Sequence, residues 1–249
     1  MSEKKARFRF HGSLNDFLSP TRKNGWIEYM YNDRPALKDA IEALGVPHVE
    51  VEVILVNEEP AGFLQPLLPM ARVEVYPLHY RSNWPADHTL SPPVPQPPKF
   101  ILDVHLGKLA KSLRMLGFDS LYETDYADAT IARLAEQENR PVLTRDIGLL
   151  KHKAISWGYW LRSQHPDEQL LETIRYFDLK PHFQPLSRCL ACNGILVATP
   201  KETVLEKLPP KTMLYFHEFY QCQTCRRVYW KGSHYDRMRT IIHKIEQGN

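Results

Sequence analysis

Three aspartates stand where carboxylates could be gathered around a metal ion. Asp103 ends the apolar run that begins at Phe100, Asp146 ends the run from Pro141, and Asp128 comes just before a helical pattern. In an open parallel sheet, the C-terminal strand ends lie along the crevice where ligands bind. Clustered carboxylates repel one another unless they share a proton or a cation, and Mg²⁺ or Mn²⁺ suits oxygen ligands. The sequence therefore predicts a carboxylate site for Mg²⁺ or Mn²⁺.

Each aspartate also has an ordinary structural explanation. Asp128 is a plausible N-cap, which accepts backbone hydrogen bonds and complements the helix dipole. The charged residues at the end of the strand that closes with Thr-Arg-Asp146 can be explained by an ion pair between Arg145 and Asp146. Asp125 is a weaker candidate for the same carboxylate cluster. A carboxylate that caps a helix can still offer its second oxygen to a metal, so the two explanations are compatible.

Basic residues recur close to these aspartates in the sequence. Lys108, Lys111 and Arg114 have three-residue spacing, so they are expected along one side of a helix that begins beside Asp103. A solvated helix face explains such a row equally well. We nevertheless predict that the row contacts phosphate groups, together with Arg145 and Lys151.

Four cysteines form the strongest isolated motif. Cys189 and Cys192 make one C-x-x-C pair, Cys222 and Cys225 make the other, and 29 residues separate the pairs. Four thiolates form a closed tetrahedral zinc site, and an insertion between two ribbon hairpins accommodates the long spacing. Redox dithiols or an iron–sulfur centre are the alternatives. The sequence therefore predicts structural Zn²⁺ in a small β-rich lobe. Arg226, Arg227, Tyr229 and Trp230 in this lobe suit stacking on unpaired bases or packing against the main domain.

Composition indicates a globular, water-soluble chain. The 249 residues are 43% hydrophobic and 24% charged, and no apolar run is long enough to span a membrane. The N-terminus lacks the apolar core of a secretory signal, and paired C-x-x-C motifs fit a reducing compartment, so we expect a cytoplasmic protein. Residues 1–98 contain 10 Lys and Arg against 12 Asp and Glu, which is −2, leaving 22 against 17, or +5, for residues 99–249. That modest excess is compatible with a polyanionic partner.

The first 80 residues have the order strand, strand, helix, strand, strand. The strands are predicted at residues 6–11, 26–31, 49–56 and 71–76, and the helix at residues 35–44. This order is typical of a small mixed sheet with a helix on one face, and it looks like a β-grasp, ubiquitin-like domain. The last strand continues into Tyr76-Pro-Leu-His79 instead of ending in Gly-Gly. We therefore expect a docking or structural role for this domain rather than conjugation.

A proline-rich bridge divides the chain, because prolines at 85, 92, 93, 95, 97 and 98 interrupt any helix or central strand. After it, short apolar strands alternate with helices, including a helix predicted over residues 147–157, which indicates a parallel α/β sheet. The predicted fold class is thus α+β followed by α/β with a zinc-ribbon lobe. The predicted domains are a β-grasp domain (1–80), a linker (81–98), an α/β domain (99–182), and the zinc ribbon with a C-terminal helix (183–249).

Longer strings in the second half resemble a known family. Residues 102–119, Leu143-Thr-Arg-Asp146, residues 188–194 and Val228-Tyr-Trp-Lys-Gly-Ser-His234 are similar to the Mut-7-C family of PIN-like RNase domains with a fused zinc ribbon. The resemblance spans about residues 99–240, and the N-terminal part is similar to the ubiquitin-like domain that often precedes it. It implies a PIN-like fold and metal-dependent cleavage of RNA. The implied acidic residues are Asp103, Asp128 and Asp146, and the implied zinc ligands are the four cysteines.

One position departs from the family pattern. PIN nucleases commonly assemble four acidic residues, whereas Ile147-Gly148 stands where another acid could follow Asp146. Either Asp125 supplies the fourth carboxylate or the site has three. Two other functions stay open at this point. The first is a non-catalytic RNA-binding module, and the second is an adaptor whose ubiquitin-like domain recruits a protein partner to RNA or the ribosome.

Overall fold

The computed structural model describes residues 3–78, 80, 84–85 and 88–247. Residues 81–83 and 86–87 of the predicted linker, residue 79 and both chain ends therefore lie outside the described residues. The chain forms two compact units. One contains residues 1–94 and 135–160, and the other contains residues 95–134 and 161–249.

The N-terminal segment forms a five-stranded mixed sheet with one helix. Its elements are β1 (Lys4–Phe10), β2 (Ile27–Tyr31), α1 (Leu37–Ala43), β3 (Val51–Val56), β4 (Glu59–Pro60) and β5 (Arg72–Pro77). The strand order is β2-β1-β5-β3-β4, with β1 and β5 parallel and the other neighbours antiparallel. The predicted order of strand, strand, helix, strand, strand is present, with the two-residue β4 added.

Alternation along β1 explains how this sheet covers a core. Ala6, Phe8 and Phe10 are buried, whereas the residues between them point to the other face. Leu37 and Ile41 of α1 lie four residues apart on one helix face and join the same apolar cluster. Each fully buried side chain of this size contributes about 1.5–3 kcal/mol, so the cluster holds the helix against the sheet.

Beyond the linker, short strands alternate with helices. The elements are β6 (Phe100–Leu102), α2 (Gly107–Met115), β7 (Ser120–Leu121), α3 (Asp128–Glu138), β8 (Val142–Thr144), α4 (Ile147–Leu150), β9 (Gly158–Trp160) and α5 (Pro166–Tyr176). Strand β6 pairs in parallel with β7, and β8 pairs in parallel with β9. A mixed N-terminal sheet followed by parallel α/β structure confirms the predicted fold class.

Helix α4 is much shorter than the helix predicted over residues 147–157. The chain leaves helical geometry after Leu150 and contacts the N-terminal segment, which belongs to the same unit. The Lys151 ammonium donates to the Glu42 carbonyl at 2.7 Å, and the His48 ring contacts the Ile155 carbonyl at 3.1 Å. These contacts join residues more than 100 positions apart and replace the local hydrogen bonds of a longer helix. The hydrophobic periodicity of one segment does not indicate such distant contacts.

The last part of the chain contains β10 (Leu196–Thr199), α6 (Lys201–Val204), α7 (Pro210–Tyr215), β11 (Phe219–Cys222), β12 (Val228–Trp230) and α8 (Ser233–Gln247). The three strands form an antiparallel sheet in the order β10-β11-β12. Helices α6 and α7 are the insertion between the cysteine pairs. A small apolar cluster that includes Val204, Leu208 and Phe219 packs them on this sheet.

Gly117 sets the path from α2 toward the cysteine-rich lobe. Its φ of +98° is a left-handed conformation, and a Cβ there would lie 2.2 Å from the backbone oxygen of Gln184. That close approach lets the Gln184 N–H donate to the Leu116 carbonyl at 2.9 Å. Glycine is thus required for both the helix end and the neighbouring backbone. Among the described residues, no helix has the length and apolar character needed to cross a membrane.

Candidate functional site

The structure brings the four cysteines together. Their sulfurs all lie within 4.8 Å of one another, with 3.6 Å between Cys189 and Cys225 and 3.4 Å between Cys192 and Cys222. Zn–S bonds of about 2.3 Å in a tetrahedron place neighbouring sulfurs roughly 3.8 Å apart. The observed spacings lie on both sides of this value, so the four thiols are close enough to bind one zinc ion. In the described part of the chain, these four cysteines are the side chains that lie close enough together to hold a metal ion.

Local backbone geometry shapes each cysteine pair into a tight turn. The Cys189 N–H donates to the Gly194 carbonyl at 2.8 Å, and the Cys222 N–H donates to the Arg227 carbonyl at 2.9 Å. Asn193 and Arg226, each one residue beyond a cysteine pair, have φ values of +67° and +60°. These left-handed residues, at equivalent positions after the two cysteine pairs, turn both segments of the chain back toward the cluster. The two turns therefore present their sulfurs in matching ways.

Hydrogen bonding already favours ionisation of one thiol. Burial by itself raises the pKa of Cys189, but hydrogen bonds from the Tyr229 hydroxyl and from two backbone N–H groups outweigh it and lower the pKa to about 6. Burial and the neighbouring thiols raise the pKa of Cys192 to about 12. The cluster thus holds a thiolate at Cys189 readily, whereas a bound cation is needed to ionise Cys192.

Arg114 attaches the first cysteine turn to the α/β part of the same unit. Its guanidinium donates to the Ser120 carbonyl at 2.8 Å and to the carbonyls of Leu190 and Ala191 at 3.2 and 3.0 Å. Only 3% of the residue is exposed, and burial lowers its pKa although Glu123 opposes the shift. The residue therefore differs from the exposed phosphate contact predicted from the sequence. The helix side that carries it is covered by the cysteine-rich lobe.

Asn193 provides a second attachment that the sequence prediction missed. The Ser120 N–H donates to its side-chain oxygen at 2.9 Å, and its side-chain nitrogen donates to Asp119 at 2.7 Å. Arg188 adds a hydrogen bond to the Gly117 carbonyl at 3.2 Å and lies 3.5 Å from the Asp119 carboxylate. The Asn-Gly dipeptide directly after Cys192 was the available signal, because such a pair marks a turn with left-handed backbone.

Asp103 and Asp128 occupy the ends of elements in the second unit. Asp103 follows β6 and is 8% exposed, and its carbonyl accepts a hydrogen bond from the Leu106 N–H. Asp128 is exposed in the first turn of α3. The carbonyl of Ala127 accepts the first helical hydrogen bonds, so Asp128 lies one residue inside the helix rather than at the cap. Asp125 is exposed in the preceding turn.

Asp146 belongs to the first unit and caps α4. Its Oδ1 accepts a hydrogen bond from the Gly148 N–H at 2.7 Å, and its own N–H donates to the Thr144 hydroxyl at 2.8 Å. A Cβ on Gly148 would lie 3.0 Å from that Oδ1, so a larger residue there would crowd the capping carboxylate. A capping carboxylate keeps its second oxygen as an acceptor. Convergence of Asp103, Asp128 and Asp146 on one ion stays a prediction.

The other predicted phosphate contacts have different surroundings. Lys108 and Lys111 are exposed on α2, so their ammonium groups face solvent. Arg145 is half-buried, and its carbonyl accepts a hydrogen bond from the Trp160 indole at 3.1 Å. Lys151 uses one of its N–H donors on the Glu42 carbonyl. The α2 lysines are thus the most accessible members of the predicted set.

The architecture defines a chain in which a mixed, ubiquitin-like sheet precedes an α/β region with a cysteine-rich lobe. Residues 98–242 match the family model of the Mut7-C RNAse domain, and residues 3–83 match that of the Mut7-C ubiquitin domain. The first match covers more than half of the chain, so the protein belongs to the Mut7-C RNAse domain family. A search of curated proteins and a search of solved structures found no match.

Proposed function

We propose that the protein is a metal-dependent ribonuclease that hydrolyses phosphodiester bonds of RNA. The observation that carries this proposal is the match of residues 98–242 to the Mut7-C RNAse domain. In this proposal, Asp103, Asp128 and Asp146 hold Mg²⁺ or Mn²⁺, and Asp125 is a further candidate acid. The placement of these carboxylates after β6, in the first turn of α3 and at the start of α4 supports it.

The donor chemistry of these residues suits a hard divalent cation. Carboxylate oxygens are the ligands that Mg²⁺ prefers, and Asp146 commits one oxygen to the Gly148 N–H while keeping another. When bound, the ion supplies an activated water and neutralises charge that develops on the phosphate oxygens. The side chains of the protein orient the ion, and Lys108, Lys111 and Arg145 hold the phosphates of the RNA strand.

Zinc has a separate, structural role in this proposal. Four protein thiolates close the coordination sphere and leave no position for a substrate, so the cysteine cluster does no hydrolysis. Its attachment through Arg114 and Asn193 instead fixes the lobe on the corner between α2 and β7. Two C-x-x-C pairs that bind a metal fit a reducing compartment, and the proposed location is therefore the cytoplasm.

A second candidate is an RNA-binding adaptor without catalytic activity, with the ubiquitin-like domain free to engage a protein partner. Two observations favour it. Asp103 is almost completely buried, and the Asp146 carboxylate already serves as a helix cap. Both carboxylates would then be structural, and RNA binding would not require Mg²⁺ or Mn²⁺.

Cleavage of end-labelled RNA decides between the two candidates. Single-stranded and structured RNAs are incubated with Mn²⁺ or Mg²⁺ and the purified protein, Asp103→Asn or Asp146→Asn. We expect metal-dependent cutting that falls at least about a hundredfold in both variants, since a lost metal ligand removes several kcal/mol of transition-state stabilisation.

Asp167→Asn is the matched control, because Asp167 is an exposed acid in the first turn of α5. Its activity should equal that of the unmodified protein. Equal cutting by all four proteins would reveal a contaminating nuclease and overturn the proposal. Binding without any cutting would favour the adaptor.

A further inference from the structure

The outer face of the N-terminal sheet concentrates positive charge. Along β1, Lys5 and Arg7 are exposed on the face opposite the buried Phe8 and Phe10. Arg72 is exposed at the start of β5, which pairs in parallel with β1. Residues 1–98 as a whole have a net charge of −2, from 10 basic against 12 acidic side chains. Lys5, Arg7 and Arg72 therefore lie near one another on one face of the sheet.

The strand register places two arginines side by side. Arg7 stands directly opposite Arg72 on β5 and opposite Glu28 on β2. The Glu28 carboxylate lies 3.3 Å from the Lys5 ammonium. Among the residues that the structure describes, neither Arg7 nor Arg72 forms an ion pair with an acid. Like charges directly opposite each other destabilise a sheet, so this pairing has a cost that an anionic ligand would relieve.

These side chains line a cavity of about 220 Å³ with Ala6, Met70 and Glu28. Three cations against one carboxylate leave a net charge of +2 in it. We call it the Arg7–Arg72 cavity. Two neighbouring guanidinium groups can each make paired hydrogen bonds with phosphate oxygens, which a single lysine cannot do.

Trp26 packs against one arginine of the cavity, and Met70 lines the cavity with an apolar side chain. The Arg72 guanidinium lies 4.8 Å from the centre of the Trp26 ring, a cation–π contact that holds the arginine in place. Met70 is 71% exposed and has a φ of +63°. A bulky residue in this left-handed conformation is uncommon, and here its exposed side chain lies beside the two arginines.

We propose that the Arg7–Arg72 cavity binds a backbone phosphate of single-stranded RNA, with Trp26 and Met70 beside the adjoining nucleotide. This inference rests on the proposed function for the identity of the polymer. Clustered arginines beside an indole ring are the combination that binds unpaired strands, with cations on phosphates and aromatic faces next to bases. The ubiquitin-like domain then extends the RNA-binding surface beyond the carboxylates of the α/β region.

The test measures RNA affinity with the full chain and a fluorescein-labelled single-stranded RNA. Anisotropy is recorded at several salt concentrations without added Mg²⁺ or Mn²⁺, so that cleavage does not interfere. Arg7→Gln combined with Arg72→Gln should weaken binding about tenfold or more, because two charged hydrogen-bond donors are lost. The slope of log affinity against log salt should decrease by about 0.7, because one phosphate contact is lost.

Two further double variants test whether the effect is specific to the two arginines. Arg22→Gln combined with Lys23→Gln removes two exposed charges of the same domain from outside the strands, and should leave both quantities unchanged. Arg7→Lys combined with Arg72→Lys keeps the charges and should retain most of the salt slope while losing affinity. Circular dichroism verifies that each variant is folded.

Unchanged affinity and slope in the glutamine variant would overturn the inference. Weakened binding of polyglutamate with unchanged RNA binding would also overturn it and identify an acidic protein segment as the partner. Loss of RNA affinity in this variant supports the inference even if the unmodified protein does not cut RNA. In that case the proposed nuclease activity would fail separately.

Discussion

The carboxylate of Glu50 accepts a hydrogen bond from the backbone N–H of Trp160 at 2.6 Å. Glu50 is 2% exposed and lies just before β3, whereas Trp160 ends β9, 110 residues later in the chain. The Phe17 ring packs against Trp160 with 5.0 Å between ring centres. A buried acid of the ubiquitin-like domain thus satisfies a strand N–H that belongs to the RNAse-family region.

Removal of the Glu50 carboxylate should destabilise the fold. Glu50→Ala leaves the partly buried N–H of Trp160 without this acceptor, and such a loss costs about 1–3 kcal/mol of unfolding free energy. Urea unfolding followed by tryptophan fluorescence measures it. Glu59→Ala, which removes an exposed carboxylate from β4, should change the unfolding free energy by less than about 0.5 kcal/mol. Equal effects of the two substitutions would contradict a specific role for Glu50.

Stability should decrease on acidification because of His48. Burial, followed by the charge of Lys38, lowers the pKa of His48 below its ordinary 6.5, against the opposing effect of Glu42. The unfolded chain therefore takes up a proton at a higher pH than the folded chain does. The contribution of His48 is complete above pH 6.5 and is lost as the pH falls toward the lower folded-state pKa.

Thermal unfolding between about pH 7.5 and about pH 5.5 measures this dependence. His48→Gln should flatten it, since glutamine does not titrate. His152→Gln, which replaces an exposed histidine of the same unit, should leave it unchanged. A wild-type protein that gains stability on acidification relative to His48→Gln would show that the contact of His48 with Glu42, at 2.6 Å, outweighs burial.

The purified chain should contain one zinc ion, bound by the cysteine cluster. Cys222→Ser should abolish zinc binding in elemental analysis and lower the melting temperature by at least about 5 °C, because metal binding is coupled to folding of the lobe. Gln223→Ala, which changes an exposed residue in the same turn, should retain both the zinc and the melting temperature. Full zinc content in Cys222→Ser would exclude a four-cysteine site.

Substitution of Arg114 should lower stability, whereas substitution of Lys111 should weaken RNA binding, although both residues lie on α2. Arg114→Lys should lower the unfolding free energy by about 3 kcal/mol, since an ammonium cannot replace a fork of donors that reaches three carbonyls. Lys111→Ala should change stability by less than about 0.5 kcal/mol but weaken RNA binding severalfold. Urea titration and RNA anisotropy measure the two quantities. A reversed pattern would contradict the structural assignment of Arg114.

Patterns that depend on near neighbours could be read directly from the sequence. The alternation around Phe8 predicts β1, and the spacing within each cysteine pair predicts two metal-binding turns. Strand propensity and side-chain alternation act over a few residues, so these elements follow without knowledge of the rest of the fold. The positions of Asp103 and Asp146 at strand ends follow for the same reason.

Other features depend on which segments meet in three dimensions. Nothing near Arg114 in the sequence indicates that residues 190 and 191 cover it, and its spacing from Lys111 predicted a phosphate contact instead. Segment 151–157 leaves helical geometry because Glu42 and His48 offer it contacts from more than 100 residues away. Arg7 meets Arg72 only through the register of β1 with β5. The amino-acid sequence by itself determined the local elements and the four cysteines that could bind a metal ion, because short-range sterics and ligand spacing define them. The tertiary structure decided which polar groups are buried and which cations share a cavity, because burial and cross-strand register arise from packing between distant segments.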